Sequence, residues 1–232
     1  MKKLLFYFIA FSFIVFSCNN NEKTATENQE TENTENTEQN TGDDIKPNRP
    51  ADSKGKFLVK SAIIEFDTEM MNMKQNMVMY IENWGELNRV DMKGDFMGMK
   101  THNINIIKDG FLYNIDMIQK NGQKTPYKSE NKPDDIDFTA LSEDVMKEFN
   151  MKKEGNEMFL GKNCDKYSIN HTTTKMKGTY LVWMGIPLKT DISIAGIGMK
   201  MTAKNIDLEA AIAPDIFDIP EGIKITEGMT MK

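Results

Sequence analysis

The stretch EMMNMKQNMVMY, Glu69 to Tyr80, concentrates thioethers: five methionines in twelve residues. Met71, Met73, Met77 and Met79 fall on odd positions. In an extended strand alternate side chains share a face. These four therefore point one way with Gln75, and Asn72, Lys74, Asn76, Val78 and Tyr80 point the other. Three kinds of chemistry are open to such a face. Thioethers are soft ligands suited to Cu(I), and alternate strand residues lie about 6.6 Å apart, so two long side chains can converge on one ion. Flexible, polarizable side chains also suit the wall of an apolar cavity that adapts to an acyl chain. The third possibility is a plain core or partner surface, because methionine fills irregular gaps. The pattern recurs at Met97/Met99, Met199/Met201 and Met229/Met231.

Other reactive groups are few. The chain has two histidines, His102 and His171. Neither stands in a paired-histidine spacing or beside the densest methionine cluster, so no metal ligand set and no cofactor is assigned. No Gly-x-Ser-x-Gly, phosphate-binding glycine loop or Cys/His pairing occurs, and no residue is assigned a catalytic role. Asp91 and Asp116 read as solvated charges on the polar sides of strands. The expectation is a protein that is not an enzyme.

The elements that carry these residues follow a marked amino terminus. Lys2 and Lys3 precede an uncharged run of 14 residues, Leu4 to Ser17. A membrane-spanning helix needs about 20 apolar residues, whereas a secretory signal core needs roughly 7 to 15. Residues 1–17 therefore read as a signal peptide. The run ends in Val15-Phe16-Ser17-Cys18, which resembles the lipobox of bacterial lipoproteins. That resemblance implies a diacylglycerol on Cys18 and an acylated new amino terminus. Each buried CH₂ contributes about 0.8 kcal/mol, and stable anchoring takes two chains. No Asp follows Cys18, and the expected home is the outer membrane, on either face. With Cys18 lipidated, Cys164 has no intrachain partner, and it reads as a small buried hydrophobe.

From Asn19 to Asp52 the chain carries nine acidic and three basic side chains and an imperfect Thr-Glu-Asn repeat. Such a composition does not bury enough apolar surface to offset chain entropy. Residues 18–52 thus read as a lipidated cysteine and a disordered acidic tether, and 53–232 as a single domain. In that domain 24 basic side chains face 26 acidic ones. This near balance, without a basic stripe, disfavours nucleic-acid binding.

The domain reads as antiparallel strands between turn signals. Strands are expected over 57–67, 71–81, 87–93 and 96–107, with a turn at Gly94-Asp95. Asp109-Gly110 predicts a type I′ hairpin, since both central residues need φ > 0. In the returning strand Phe111, Tyr113, Ile115 and Met117 share a face. A further turn is expected at Asn121-Gly122. Phe138, Leu141, Val145 and Phe149 recur at helical spacing, which predicts a helix near 137–151 with Asp137 as N-cap. Strands resume at 157–160, 164–171, 178–184, 188–194 and 198–208, and 217–222 reads as a short strand end with a turn. Roughly ten strands and one helix make a mainly β (α+β) fold, a large curled antiparallel sheet.

GKNCDKYSI (161–169), GTYLVWMGIPLKTDI (178–192) and GMKMTAKNIDLEAAIAPDIFDIPEGIKI (198–225) resemble a domain of secreted bacterial lipoproteins, which is similar in turn to the LolA/LolB-type lipoprotein-carrier superfamily. The resemblance implies a half-barrel around an apolar cavity, with one main helix packed on its concave side. The residues that match are structural: Gly185, Pro187, Pro220 and Gly222. The function implied is a lipid-anchored envelope protein that binds a hydrophobic ligand, an acyl chain or a lipoprotein. Met71, Met73, Met77, Met79, Phe111, Tyr113 and Ile115 are the candidate cavity residues. An interaction module with a self-filled core, and methionine-based copper binding, stay open beside it.

Overall fold

The computed structural model describes residues 49–71, 73–96, 98–129, 131 and 135–228. The signal-like run, Cys18 and the tether as far as residue 48 lie outside the described residues, as do Met97, Met229 and Met231.

Among the described residues twelve strands form one sheet. The first six are β1 (Ala62–Met70), β2 (Met73–Glu82), β3 (Leu87–Phe96), β4 (Met99–Lys108), β5 (Phe111–Asp116) and β6 (Asn121–Pro126). A short helix, α1 (Glu143–Glu148), follows. Then come β7 (Met151–Phe159), β8 (Lys162–His171), β9 (Met176–Trp183), β10 (Ile186–Ile194), β11 (Ile197–Asp207) and β12 (Lys224–Glu227). The sheet order is β12-β6-β5-β4-β3-β2-β1-β11-β10-β9-β8-β7. One meander runs outward from β1, a second runs inward from β7, and β11 closes them by pairing antiparallel with β1. Strands that follow one another in sequence pair in space, which keeps the connections short.

Alternation makes the strands. In β1, Ala62, Ile64 and Phe66 are buried while Glu65 and Asp67 are exposed. In β10, buried Leu188, Thr190 and Ile192 alternate with exposed Lys189 and Asp191. The hairpin at Asp109-Gly110 forms as its sequence predicts, with φ of 54° and 75°. No atom lies within 4 Å of a Cβ added at Gly110, so a substitution there meets only backbone cost. Gly110→Ala is expected to destabilise by about 1–2 kcal/mol, the left-handed penalty of a residue with a Cβ. Urea unfolding at unchanged m-value checks this.

Three expected turns and ends are corrected. Gly94-Asp95 belongs to β3, and the chain turns at Gly98 instead, at φ 82°. Asn121-Gly122 opens β6, and the turn precedes it: the Asp116 carboxylate accepts from the amides of Ile118 and Gln119 at 2.8 and 2.9 Å. At the carboxyl end the turn forms, with Gly222 at φ 76°, but the strand end does not: Pro214–Phe217 is a 3₁₀ turn, and the chain then adds β12 parallel to β6. Residues 57–61 lie outside β1, yet Phe57 and Val59 are buried and Leu58 N–H donates to Met184 O at 2.9 Å.

The helix is shorter than its apolar spacing suggests. Ser142 is the N-cap, with its hydroxyl accepting from Val145 N–H at 3.2 Å. Asp137 is occupied otherwise: its carboxylate accepts from Thr139 N–H and from Thr139 Oγ1 at 2.9 and 2.7 Å, which holds a turn. Met151 is already the first residue of β7. Phe138, Leu141 and Val145 still pack on one core with Phe149. The 3.6-residue spacing marks burial on one side, which a turn followed by six helical residues also supplies.

Three cores result. The first gathers Ile64, Phe66, Met77, Ile81, Leu188 and Ala203 among others. The second gathers Tyr167, Ile169, Met176, Tyr180 and Ile192 beneath residues 136–149. The third is Ile104, Ile106 and Ile115, packed by Tyr113, Met117, Ile223 and Ile225.

Candidate functional site

Cross-strand partners share a face of the sheet, so register assigns each side chain. Met70 is opposite Met73 across the first turn and opposite Met199 on β11. Met77 is opposite Phe66 and Met92, and Met79 is opposite Ile64 and Val90. Met201 is opposite Thr68 and Thr190. Seven methionines from β1, β2, β3 and β11 therefore occupy one face. Met77 is 6% exposed, and the other six are partly buried. The same row continues through Thr190 to Tyr180 and Tyr167. Phe138 lies over those two tyrosines, at ring distances of 5.2 and 5.5 Å. Residues 136–149 and the methionines thus lie on the same face.

The expected site residues divide. Met73, Met77 and Met79 come together on this face. Met71 leaves the ladder: it stands in the turn after β1 at φ 53° and is 63% exposed. Phe111, Tyr113 and Ile115 lie on the other face, because Ile115 is opposite Ile104, Ile104 opposite Asp91, and Asp91 opposite Val78. Met70, Met92, Met199 and Met201 join them on this face. Met199 and Met201 carry an alternation signal, whereas Met92 stands alone in sequence and joins only through register.

The sheet thus inverts its buried side between β2 and β4. On β4 and β5 the methionine side carries Asn103, Asn105 and Asn114, while Ile104 and Ile106 are buried on the reverse. Between the two halves, on the reverse of β3, stands an ion cluster. Asp91 is not a solvated charge: its side chain is 12% exposed and pairs with Arg89 at 3.0 Å and His102 Nε2 at 2.9 Å. Arg89 also donates to Ile216 O at 2.8 Å, which ties the carboxyl-terminal segment to β3.

Chemistry elsewhere is quiet. Cys164 is fully buried, and desolvation pushes its thiol up to about 11. It stays protonated at neutral pH, which removes the nucleophilic form. Burial likewise raises the Tyr180 phenol above its usual range. Among the described residues no three His, Cys, Asp or Glu side chains form a metal-ligand group. Two open grooves mark the surface. One, of about 630 Å³, is lined by Asn170, His171, Lys175, Lys177 and Ser193. The other, of about 410 Å³, is lined by Asp67, Glu69, Lys74, Asn76 and Lys200. Neither is lined by a methionine. No helix among the described residues is long and apolar enough to cross a membrane.

No protein-family model matches the chain, and no curated protein does. Solved structures do. The crystal structure of an uncharacterized conserved protein from Thermus thermophilus aligns with a TM-score of 0.52 at 10% identity, over 76% of this chain and 96% of that one. Looser structural neighbours include a putative outer membrane lipoprotein-sorting protein domain from Vibrio parahaemolyticus, with a TM-score of 0.35 at 9% identity over 68% of this chain and 89% of that one. A LolA superfamily protein from Nitrosomonas europaea matches with a TM-score of 0.35 at 9% identity, over 69% and 90% of the two chains. At 10% identity the first of these speaks for the fold alone.

Proposed function

We propose that this is a lipid-anchored, non-enzymatic envelope protein that holds a hydrophobic ligand, a single acyl chain, against its methionine face. Cys18 carries the anchor at the outer membrane, and residues 18–52 space the folded domain from the bilayer. One observation carries the reading: six partly buried methionines share with Met77 a single face of four neighbouring strands. The row of Met92 and Met77 and the row of Met73, Met70 and Met199 flank the row of Gln75, Thr68 and Met201, and apolar side chains left partly open in such a cluster mark a binding surface. Unbranched thioether side chains re-pack at little cost, which suits a ligand without a fixed shape.

Native mass spectrometry of the chain from Asn19 to Lys232, followed by titration with a fluorescent fatty acid, tests it. Co-purified lipid or saturable binding is expected. Each buried methylene contributes about 0.8 kcal/mol, so Met79→Glu with Met92→Glu is expected to weaken the probe by about 10-fold or more. Absence of both co-purified lipid and probe binding would overturn the reading. That result would favour an interaction module with a self-filled core, for which Ile64, Phe66, Ile81 and Leu188 speak, each fully buried by the chain's own side chains.

A further inference from the structure

Met73, Met70 and Met199 stand side by side in one cross-strand row, on β2, β1 and β11 in turn. The row continues to Ile192 on β10. All three methionines are partly exposed at the end of the sheet where the first turn lies. Directly opposed side chains in such a ladder have Cβ atoms about 4.5–5.5 Å apart. A thioether arm with three rotatable bonds spans that gap from either side. The charged residues of the neighbouring row, Lys74, Glu69, Lys200 and Asp191, are also opposite one another and hence point to the reverse of the sheet. The methionine side of this row therefore offers three neutral sulfur donors and no carboxylate.

We propose that Met70, Met73 and Met199 form a site for a soft monovalent metal ion, Cu(I) or its analogue Ag(I). Neutral thioethers select such ions over Zn²⁺, Ca²⁺ and Mg²⁺, whose preferred donors are imidazole, thiolate, carboxylate or carbonyl groups. The site differs from the expected cluster of Met71, Met73, Met77 and Met79. Met71 leaves the ladder at the turn, and Met77 and Met79 belong to the first core. The inference is independent of acyl-chain binding, because leucine preserves an apolar face and removes only sulfur.

The experiment titrates Ag(I) into the full chain in detergent by calorimetry, with anaerobic Cu(I) against a chromophoric chelator as a second probe. One ion per chain is expected. The triple variant M70L/M73L/M199L is expected to lower affinity by at least about 10-fold per lost sulfur, the lower end of what losing even an outer-shell partner costs a metal site. M77L/M79L/M92L is expected to leave it unchanged. In the unsubstituted protein the ε-methyl carbon resonances of Met70, Met73 and Met199 should move on Ag(I) addition while those of the core methionines stay, a readout that needs no variant to fold. Absent binding, binding indifferent to the first triple variant, or equal loss in both variants would each overturn the site. Fatty-acid titration of the unsubstituted protein separates the two readings: Ag(I) binding without probe binding sinks the acyl-chain reading alone, and probe binding without Ag(I) binding sinks the metal site alone.

Discussion

Phe66→Ala is expected to destabilise the protein by about 3–5 kcal/mol, the cost of removing a buried aromatic ring from a core that collapses only in part. Phe66 is fully buried on β1, between Met77 of β2 and Ala203 of β11. That strand joins the two meanders, so the vacated volume lies where β1 holds both. The flexible neighbour Met77 can fill some of it, which favours the lower end of the range. Adjacent Glu65 points the other way and is exposed, and Glu65→Ala should stay within about 0.5 kcal/mol. Urea unfolding of both variants at equal m-value decides it. A cost below about 1 kcal/mol for Phe66→Ala would place the ring outside the core. The same contrast on β4 tests the inversion of the sheet. Ile104→Ala should cost about 2–5 kcal/mol, and Asn105→Ala, on the methionine side, far less.

Much of this architecture is legible in the sequence, and the reason lies in single strands. Alternation in AIIEFDTEM and in INIIKDGFLYNID marks which residues of a strand share a face, and both strands form where that pattern stands. It does not say which side of the sheet that face occupies. The phase between neighbouring strands is set by turn length, and a shift of one residue reverses every side chain. Met77 and Ile115 therefore read as one wall and stand on opposite sides. Turn chemistry divides in the same manner. Asp109-Gly110 announces its hairpin, whereas Leu160-Gly161, Met184-Gly185 and Ala195-Gly196 adopt the same double positive φ behind first residues with no turn preference. In those three turns the glycine at the second position is the local signal, and the residue before it adds none. The parallel pairing of β12 with β6 is long-range: Ile225 meets Gly122 through a hundred intervening residues that no short motif spans.

A chain that stops at Leu208 is expected to lose the fold of β3 to β6. Ile104, Ile106 and Ile115 are buried on the side where the carboxyl-terminal segment crosses, and Ile223 and Ile225 pack against them. Phe217, next to the carbonyl that Arg89 holds, is itself buried. Exposing a fully buried isoleucine costs about 1.5–3 kcal/mol. Three together approach the 5–15 kcal/mol that is roughly the whole stability of a domain. Removal of β12 also turns β6 into an open edge, which invites pairing with another chain. Hydrogen exchange should show the amides of β4 and β5 unprotected, while those of β8 to β10 keep their protection because the second core contains no residue beyond Met199. An apolar dye should bind the shortened chain and not the full one. Unchanged protection in β4 and β5 would mean that the methionine side, with its asparagines, holds that half of the sheet without the strap. The physical consequence reaches the candidate site: Met77 and Met92 are opposite one another across the β2–β3 pair, so loosening β3 takes one wall of the methionine face with it.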